Sequence, residues 1–382
     1  METFQGHSDA ADAQAAVDAA TAGWPAGLEP KLILAFASTH QQLGPVREIL
    51  RAKYPGAELV GCSTAGEHTT GHHHRGALAL TAIAGPELDV ACAFSPDLAA
   101  FDAARAASIA GGLFQRLGVT ADEIDLEHTF CVMLIDGLSR KEEQVAALMA
   151  DALEGVPMIG GSAGDDLGFA RTEVMATEGC GSGAAAFILG RARVPVRFFK
   201  HQHFQATSRS LVITRADVEA RRVFEMDGYP AAEAYARALG KESASEVTPE
   251  LCFLNPLMFQ SHGQHYVRSI QKIEPDGSII FYCGIEEGLV LDVARHDDIV
   301  DSLKSSLSQS LAGMGRPQLV LGMNCILRAL EAEQTGQHCA LADALADNTD
   351  CFVGFDTYGE QLNGLHINQT IVGLAFGREE RR

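Results

Sequence analysis

The chain has 382 residues, with 29 Lys+Arg against 50 Asp+Glu and a formal net charge of −21. A field of that sign repels phosphate, which argues against a nucleic acid or an anionic membrane surface as partner. An apolar fraction of 47% with 21% charged residues is that of a folded chain, long enough for two or three domains.

The nine cysteines include no CxxC, which disfavours a zinc ribbon, a thioredoxin-type site and a covalently attached c-type haem. No charged segment followed by an apolar one opens the chain, and no run approaches the roughly 20 apolar residues that span a bilayer. The expected compartment is the cytoplasm, with reduced thiols.

In chain order, the Ala-rich acidic stretch 8–22 predicts an amphipathic helix with Ser8 as its cap, ended by Trp24-Pro25. Lys31–Ser38 is a buried-strand run, a helical pattern follows through Val46, Ile49 and Leu50, and Ala57–Cys62 is a second strand. Strand-like runs at Ala77–Ile83 and Leu88–Phe94 complete the unit. The order then recurs: strand Thr129–Ile135, helix Arg140–Leu153, strand Val156–Gly161, and runs at Glu173–Ala176 and Ala184–Leu189. A third copy lies near the carboxyl end, with a strand from Leu319, a long helical segment over roughly Leu327–Leu345, and the strand Cys351–Phe355.

The copies share a turn. Gly61-Cys62-Ser63-Thr64-Ala65-Gly66-Glu67 and Gly354-Phe355-Asp356-Thr357-Tyr358-Gly359-Glu360 both fit GxxTxGE, and the middle copy has the shortened Gly160-Gly161-Ser162-Ala163-Gly164-Asp165. Three matches, each after a strand and a helix, point to an internal repeat. The expectation is that regions 31–95, 129–190 and 318–376 form equivalent β-α-β units with equivalent turns. Elsewhere the second half reads as hairpins, Leu211–Thr214 with Arg222–Met226 and Tyr266–Ile273 with Ser278–Tyr282. The fold class is therefore α/β, two halves with mixed sheets built from repeated β-α-β-β units.

The glycine turns admit two readings: a ligand cradle at Cys62-Ser63-Thr64 and Gly161-Ser162-Ala163, or sharp turns whose acid satisfies local N–H groups. Neither is a P-loop or a GxGxxG fingerprint. Cys62 reads as a small buried residue; an enzyme using it as nucleophile is the weakest of the functional hypotheses. His72-His73-His74 reads as a solvated turn, because neighbours on a strand point to opposite faces. His201 and His203, at i and i+2, are expected to share one strand face with Phe199, where they could wall a flat ligand or a metal. His262 and His265 are reserve candidates. Arg209, Arg215 and Arg268 could each meet a ligand carboxylate. No HExxH, GxSxG, kinase set or EF-hand loop is present, so the chain is expected not to be an enzyme.

VGCSTAGE at 60–67, VPMIGGSAGDD at 156–166, MDGYPAAEAYAR at 226–237 and TYGE followed by HINQT at 357–370 resemble the FIST-domain family. The resemblance runs from about Lys31 to Gly377. It implies a FIST N-terminal domain at 27–205 and a FIST C-terminal domain at 206–382, acting as a ligand-sensing module of signal transduction, with residues 1–26 read from their composition as an acidic helix or leader. FFKHQHF followed by LVITRAD, and HYVRSI, look more like the stand-alone bacterial branch that binds haem b and senses nitric oxide. That branch implies a non-covalent haem b and a partner that is a histidine kinase or a diguanylate cyclase or phosphodiesterase, with effects on biofilm behaviour; a homodimer is an allowed assembly. The residues expected at the haem are His203 as iron ligand, with His201, Phe199, His262 and Arg268 around it. The alternative is a haem-free FIST sensor of a small metabolite such as an amino acid. His72–His74 and the acidic leader lie outside the resemblance.

Overall fold

A computed structural model describes residues 1–120, 124–261 and 263–378. The fold is α/β with mixed sheets, in two compact units. The larger takes Met1–His201, Leu303–His366 and the chain from Ile371; the smaller takes Gln202–Ser302 with Ile367–Thr370.

The larger unit contains the three expected copies. Leu32–Ala37, Leu43–Lys53 and Glu58–Ser63 form the first strand-helix-strand; Thr129–Asp136, Glu142–Ala152 and Met158–Ala163 the second. The third is Leu319–Cys325, the helices Ile326–Gln334 and His338–Ala346, and Phe352–Thr357. In each copy the two strands pair in parallel, and a later strand (Leu78–Ala84, Ala185–Ala192 or Ile371–Phe376) pairs antiparallel with the first. The first strand of each copy is buried along its whole length because helices cover it, which is why it reads as a continuous apolar run. Leu43, Val46 and Leu50 of the first helix pack with Ile33 and Leu59, and Val145, Ala146 and Met149 of the second with Met133 and Phe187.

Each copy sends the hairpin after its turn to another copy's sheet. The hairpin Glu67–Thr69/His72–His74 of copy one joins Phe352–Thr357 of copy three, with Gly354 opposite His68. Val174–Ala176/Gly179–Gly181 of copy two joins Glu58–Ser63 of copy one, with Val174 opposite Cys62. Glu360–Leu362 of copy three joins Met158–Ala163 of copy two, with Glu360 opposite Gly161. The exchange is cyclic, one to three, two to one, three to two.

The first glycine of each turn motif is explained by its neighbour. Gly61, Gly160 and Gly354 lie opposite Ala35, Met133 and Gly322 in the parallel registers. A Cβ at any of them would meet that residue's carbonyl oxygen, at 2.6 Å for Gly160 and closer for the other two. The obstacle is backbone, which cannot rotate away. Gly354→Ala is expected to destabilise the fold by about 3 kcal/mol. Gly111→Ala, in an exposed helical position with nothing within 4 Å, should stabilise it by about 0.5–1 kcal/mol. Urea midpoints for both variants check this; equal midpoints would show that the strands can separate without cost.

The amino-terminal stretch differs from expectation. Glu2–Ser8 is an edge strand paired antiparallel with Leu78–Ala84, and the helix spans only Ala13–Ala20, capped by Asp12. Asp12 accepts from the Ala15 N–H at 2.9 Å, whereas Ser8 ends the strand. The strand carries little apolar signal because much of it is only half-buried. The long helix expected at 327–345 is two helices, separated where Gly336 takes φ +70°.

The smaller unit is antiparallel throughout its described ladder. Phe204–Asp217 lies between Val290–His296 and Arg222–Met226, so the expected hairpin at 211–226 forms. The strand expected over 266–273 is two strands that part at Ser269: Gln264–Arg268 pairs with Leu257–Ser261, and Ile270–Ile273 pairs with Ile279–Phe281. Helix Ala231–Ala238 buries Tyr235, whose hydroxyl donates to the Asn255 carbonyl at 2.6 Å. No helix among the described residues is long and apolar enough to cross a membrane.

Candidate functional site

The two full GxxTxGE turns have the same local structure. Thr64 Oγ1 donates to Glu67 Oε1 at 2.5 Å, and Thr357 Oγ1 donates to Glu360 Oε1 at 2.6 Å. Both glutamates are fully buried, and Gly66 and Gly359 take φ +158° and +147°. Burial pushes the Glu67 carboxyl up to about 8, despite the Thr64 hydroxyl and the Ala77 N–H that favour its anion. In the shortened turn Asp165 instead accepts the N–H groups of Phe169, Ala170 and Arg171 and the Tyr358 hydroxyl.

Beside each turn one polar residue receives the incoming hairpin. Ser63 Oγ accepts the Glu173 N–H at 2.9 Å, and Ser162 Oγ accepts Gln361 Nε2 at 2.9 Å. The ligand cradle considered for Cys62–Thr64 and Gly161–Ala163 is therefore occupied by the protein's own strands. Cys62 is fully buried, and burial followed by the nearby Glu67 pushes its thiol well above the ordinary range, the opposite of an activated nucleophile.

The third junction is different. Its polar residue is Asp356, fully buried, which pairs with His68 Nε2 at 2.9 Å through Oδ1 and with His73 Nε2 at 2.7 Å through Oδ2. Burial alone would raise the Asp356 carboxyl; the imidazoles overcome this and hold it well below the usual range. His73 is shifted the other way: burial opposes its charge, but the carboxylate outweighs burial and raises it. Asn324 Nδ2 donates to Asp356 Oδ1 at 2.8 Å, and Arg328 Nε donates to Asn324 Oδ1 at 3.0 Å. A partly open recess on this side is lined in part by His68, His73, Asn324, His338 and Leu341.

This cluster corrects the reading of His72–His74 as a solvated turn. The alternation argument holds: His73 faces Asp356, while His72 and His74 lie near each other and His74 stacks on His7 at 4.1 Å. What it missed is that His73's partners come from elsewhere in the sequence. His68 lies directly opposite it across the hairpin, and His68 next to the motif glutamate was the available signal.

The residues predicted around His203 fall in two places. The strand Val196–His201 ends at His201, so its face carries Phe199 and His201 but does not extend to His203. Phe199 and His201 belong to the larger unit, where the Phe199 ring covers Gly373 on the paired strand. His203 belongs to the smaller unit, in the two-residue break before Phe204–Asp217. It is 2% exposed, its ring centroid lies 4.2 Å from that of Phe204, and its carbonyl accepts the Asp297 N–H at 2.7 Å. Gln202 Nε2 donates to the His265 carbonyl at 3.1 Å, so the break is tied on both sides. Phe204 packs with Met258, Val267 and Ala294. Arg268 follows Val267 on the same strand, buried, with its guanidinium 4.3 Å over the Phe259 ring. His262 lies outside the described residues. Arg209 bonds the Ala238 carbonyl and Arg215 pairs with Glu225 at 2.9 Å, while His265 lies 3.2 Å from Asp292.

The decisive comparison is with family profiles: the FIST N domain matches residues 31–229 and the FIST C domain residues 231–363. The chain belongs to the FIST family. Among curated proteins no relative matches it. FIST domains are sensory, ligand-binding domains of signal transduction, and the FIST N match takes in the first two βαβ copies and their turns. The FIST C match runs from the helix Ala231–Ala238 through the third copy to Asn363.

Proposed function

We propose that this FIST protein is a non-catalytic cytoplasmic sensor that holds haem b through His203 and responds to nitric oxide. Its output would be the activity of a partner histidine kinase or cyclic-di-GMP enzyme. The observation that carries the reading is the grouping in the smaller unit: a buried imidazole at a tethered chain break, an aromatic ring against it, and the apolar cluster of Met258, Val267 and Ala294 behind that ring. The donor chemistry fits a b-type haem, which needs an imidazole for iron and apolar walls; no covalent attachment motif is required. When bound, such a haem supplies an iron with one position for a diatomic gas.

The chain's own residues divide the work. His203 would present its imidazole, held in place by the bonds that fix Gln202 and the His203 carbonyl. Phe204 would exclude water from one side. Because the break leads directly into the 14-residue strand Phe204–Asp217, a shift of His203 would be felt along that strand and its two neighbours.

The test is the visible spectrum of haem-reconstituted protein with and without nitric oxide. Wild type and His201→Ala are expected to give a stoichiometric Soret band that shifts with the gas; His203→Ala, folded by circular dichroism, should not. If His203→Ala keeps the wild-type spectrum, the ligand assignment fails and His262 is examined next. If wild type takes up no stoichiometric haem, the haem-free metabolite sensor replaces this reading.

A further inference from the structure

We propose that His68, His73 and Asp356 form a site for a first-row divalent transition-metal ion of the zinc type. Their ligand atoms all lie within 4.8 Å of one another, and both imidazoles aim Nε2 at the same carboxylate. The donor pairs are now at hydrogen-bond spacing, 2.7–2.9 Å, and need to open by only about 0.5–0.7 Å to surround a tetrahedral ion with metal–ligand distances of about 2.0–2.2 Å. Two imidazole nitrogens and a carboxylate suit zinc, cobalt or ferrous iron; magnesium and calcium take oxygen donors. Three protein donors leave a coordination position open, as in reactive zinc sites, and a recess lined by the two histidines and by His338 and Leu341 has room for a water molecule there. On binding, the ion takes the place of the protons that now bridge the imidazoles and the carboxylate.

The repeat supplies an internal control. The position of Asp356 is held by Ser63 in copy one and Ser162 in copy two, each receiving a hairpin with one hydroxyl. At the Ser162 junction the hairpin offers Gln361 and His366, spaced five apart like His68 and His73, with Gln361 bonding both Ser162 Oγ and His366 Nδ1. That junction closes without a carboxylate and with a single imidazole. A serine therefore suffices to join the strands, and the junction at copy three has acquired three metal-ligating groups beyond that need.

The groups behind the ligands agree. Asn324 fixes the carboxylate and Arg328 fixes Asn324, the supporting arrangement that metal ligands require. The residues at the Asn324 position in the other copies, opposite Ser63 and Ser162, are Ala37 and Ile135. Only copy three carries a polar support there.

The experiment is a cobalt titration of the tag-free, metal-stripped, haem-free full chain, read by visible d–d absorption. One Co2+ per chain is expected, displaced by Zn2+ and unaffected by excess Mg2+. Zn2+ should also raise the melting temperature of the wild type. Asp356→Ser installs the residue that joins the other two junctions, so it should fold and lose both responses. His73→Gln, at a less buried position, should do the same. Asn324→Ala should weaken binding by roughly 10–100-fold. A His72→Ala/His74→Ala variant removes the rival histidines on the other side of the ribbon and should bind as wild type does. The proposal is overturned if wild type shows no saturable one-to-one uptake. It is equally overturned if a folded Asp356→Ser or His73→Gln binds like wild type, or if the His72/His74 variant alone loses the ion. Because no haem is present, these outcomes are independent of His203.

Discussion

Replacing Glu67 with Gln is expected to make the protein more resistant to urea at pH 8 while leaving it nearly unchanged at pH 4.5. The Glu67 side chain is fully buried, and burial raises its carboxyl from 4.5 to about 8, with the charges of Asp166 and Asp356 adding to the rise. The folded state therefore keeps a proton that the unfolded chain sheds above about pH 4.5. Between those values the unfolded state binds fewer protons, and wild-type stability falls as pH rises, by up to about 1.4 kcal/mol per pH unit. Below the unfolded value both states are protonated, and above pH 8 both are ionised, so the slope vanishes at either end. Glutamine has the same shape as the acid it replaces and carries no proton to lose. Its amide can donate to Thr64 Oγ1 while its carbonyl accepts the Ala77 N–H, so both bonds of the turn survive. The variant's advantage should grow across the window to a value on the order of 4 kcal/mol. Urea midpoints at half-unit steps from pH 4.5 to 8.5 measure it. Parallel profiles for the two proteins would mean that Glu67 ionises in the folded state as it does in the unfolded one.

Arg328→Met should cost about 3–5 kcal/mol at pH 7. Arg328 is the largest fully buried side chain among the described residues, on the helix Ile326–Gln334. Burial lowers its guanidinium to about 10, and the neighbouring charges of Glu331, Glu360 and Asp356 act against that fall, so it remains a cation at neutral pH. Methionine fills much of the volume but leaves buried carboxylates without their balancing charge and Asn324 without a donor on its oxygen. The loss comes from those stranded groups, which a double variant distinguishes from simple packing. Arg328→Met combined with Glu331→Gln should recover part of the deficit, giving a coupling energy of roughly 0.5–3 kcal/mol. Strict additivity of the two changes would show that Arg328 acts through its hydrocarbon stem alone.

Local patterning was enough to place the three β-α-β copies, their strand boundaries to within a few residues, and the equivalence of the two full turns. These features rest on short-range physics. Apolar runs of strand length alternate with helical stripes such as Val145, Leu148 and Met149. The Thr64–Glu67 and Thr357–Glu360 bonds span three residues, so the spacing alone specifies them. The FIST resemblance followed from the same turns together with the runs at 226–237 and 366–370. Signals that depended on a partner were harder to read. Glu2–Ser8 forms an edge strand only because Leu78–Ala84 is there to pair with it, and Ser269 divides a strand because its two halves pair with different neighbours. The destination of each hairpin after its turn is set by long-range pairing. A hairpin's backbone donors and acceptors are the same whichever sheet edge receives them, so no residue within Glu67–His74 names the strand Phe352–Thr357 as its partner. That choice brings His68 and His73 to a carboxylate 288 and 283 positions away. It turns what reads locally as a solvated run of histidines into a half-buried cluster with the chemistry to hold an ion.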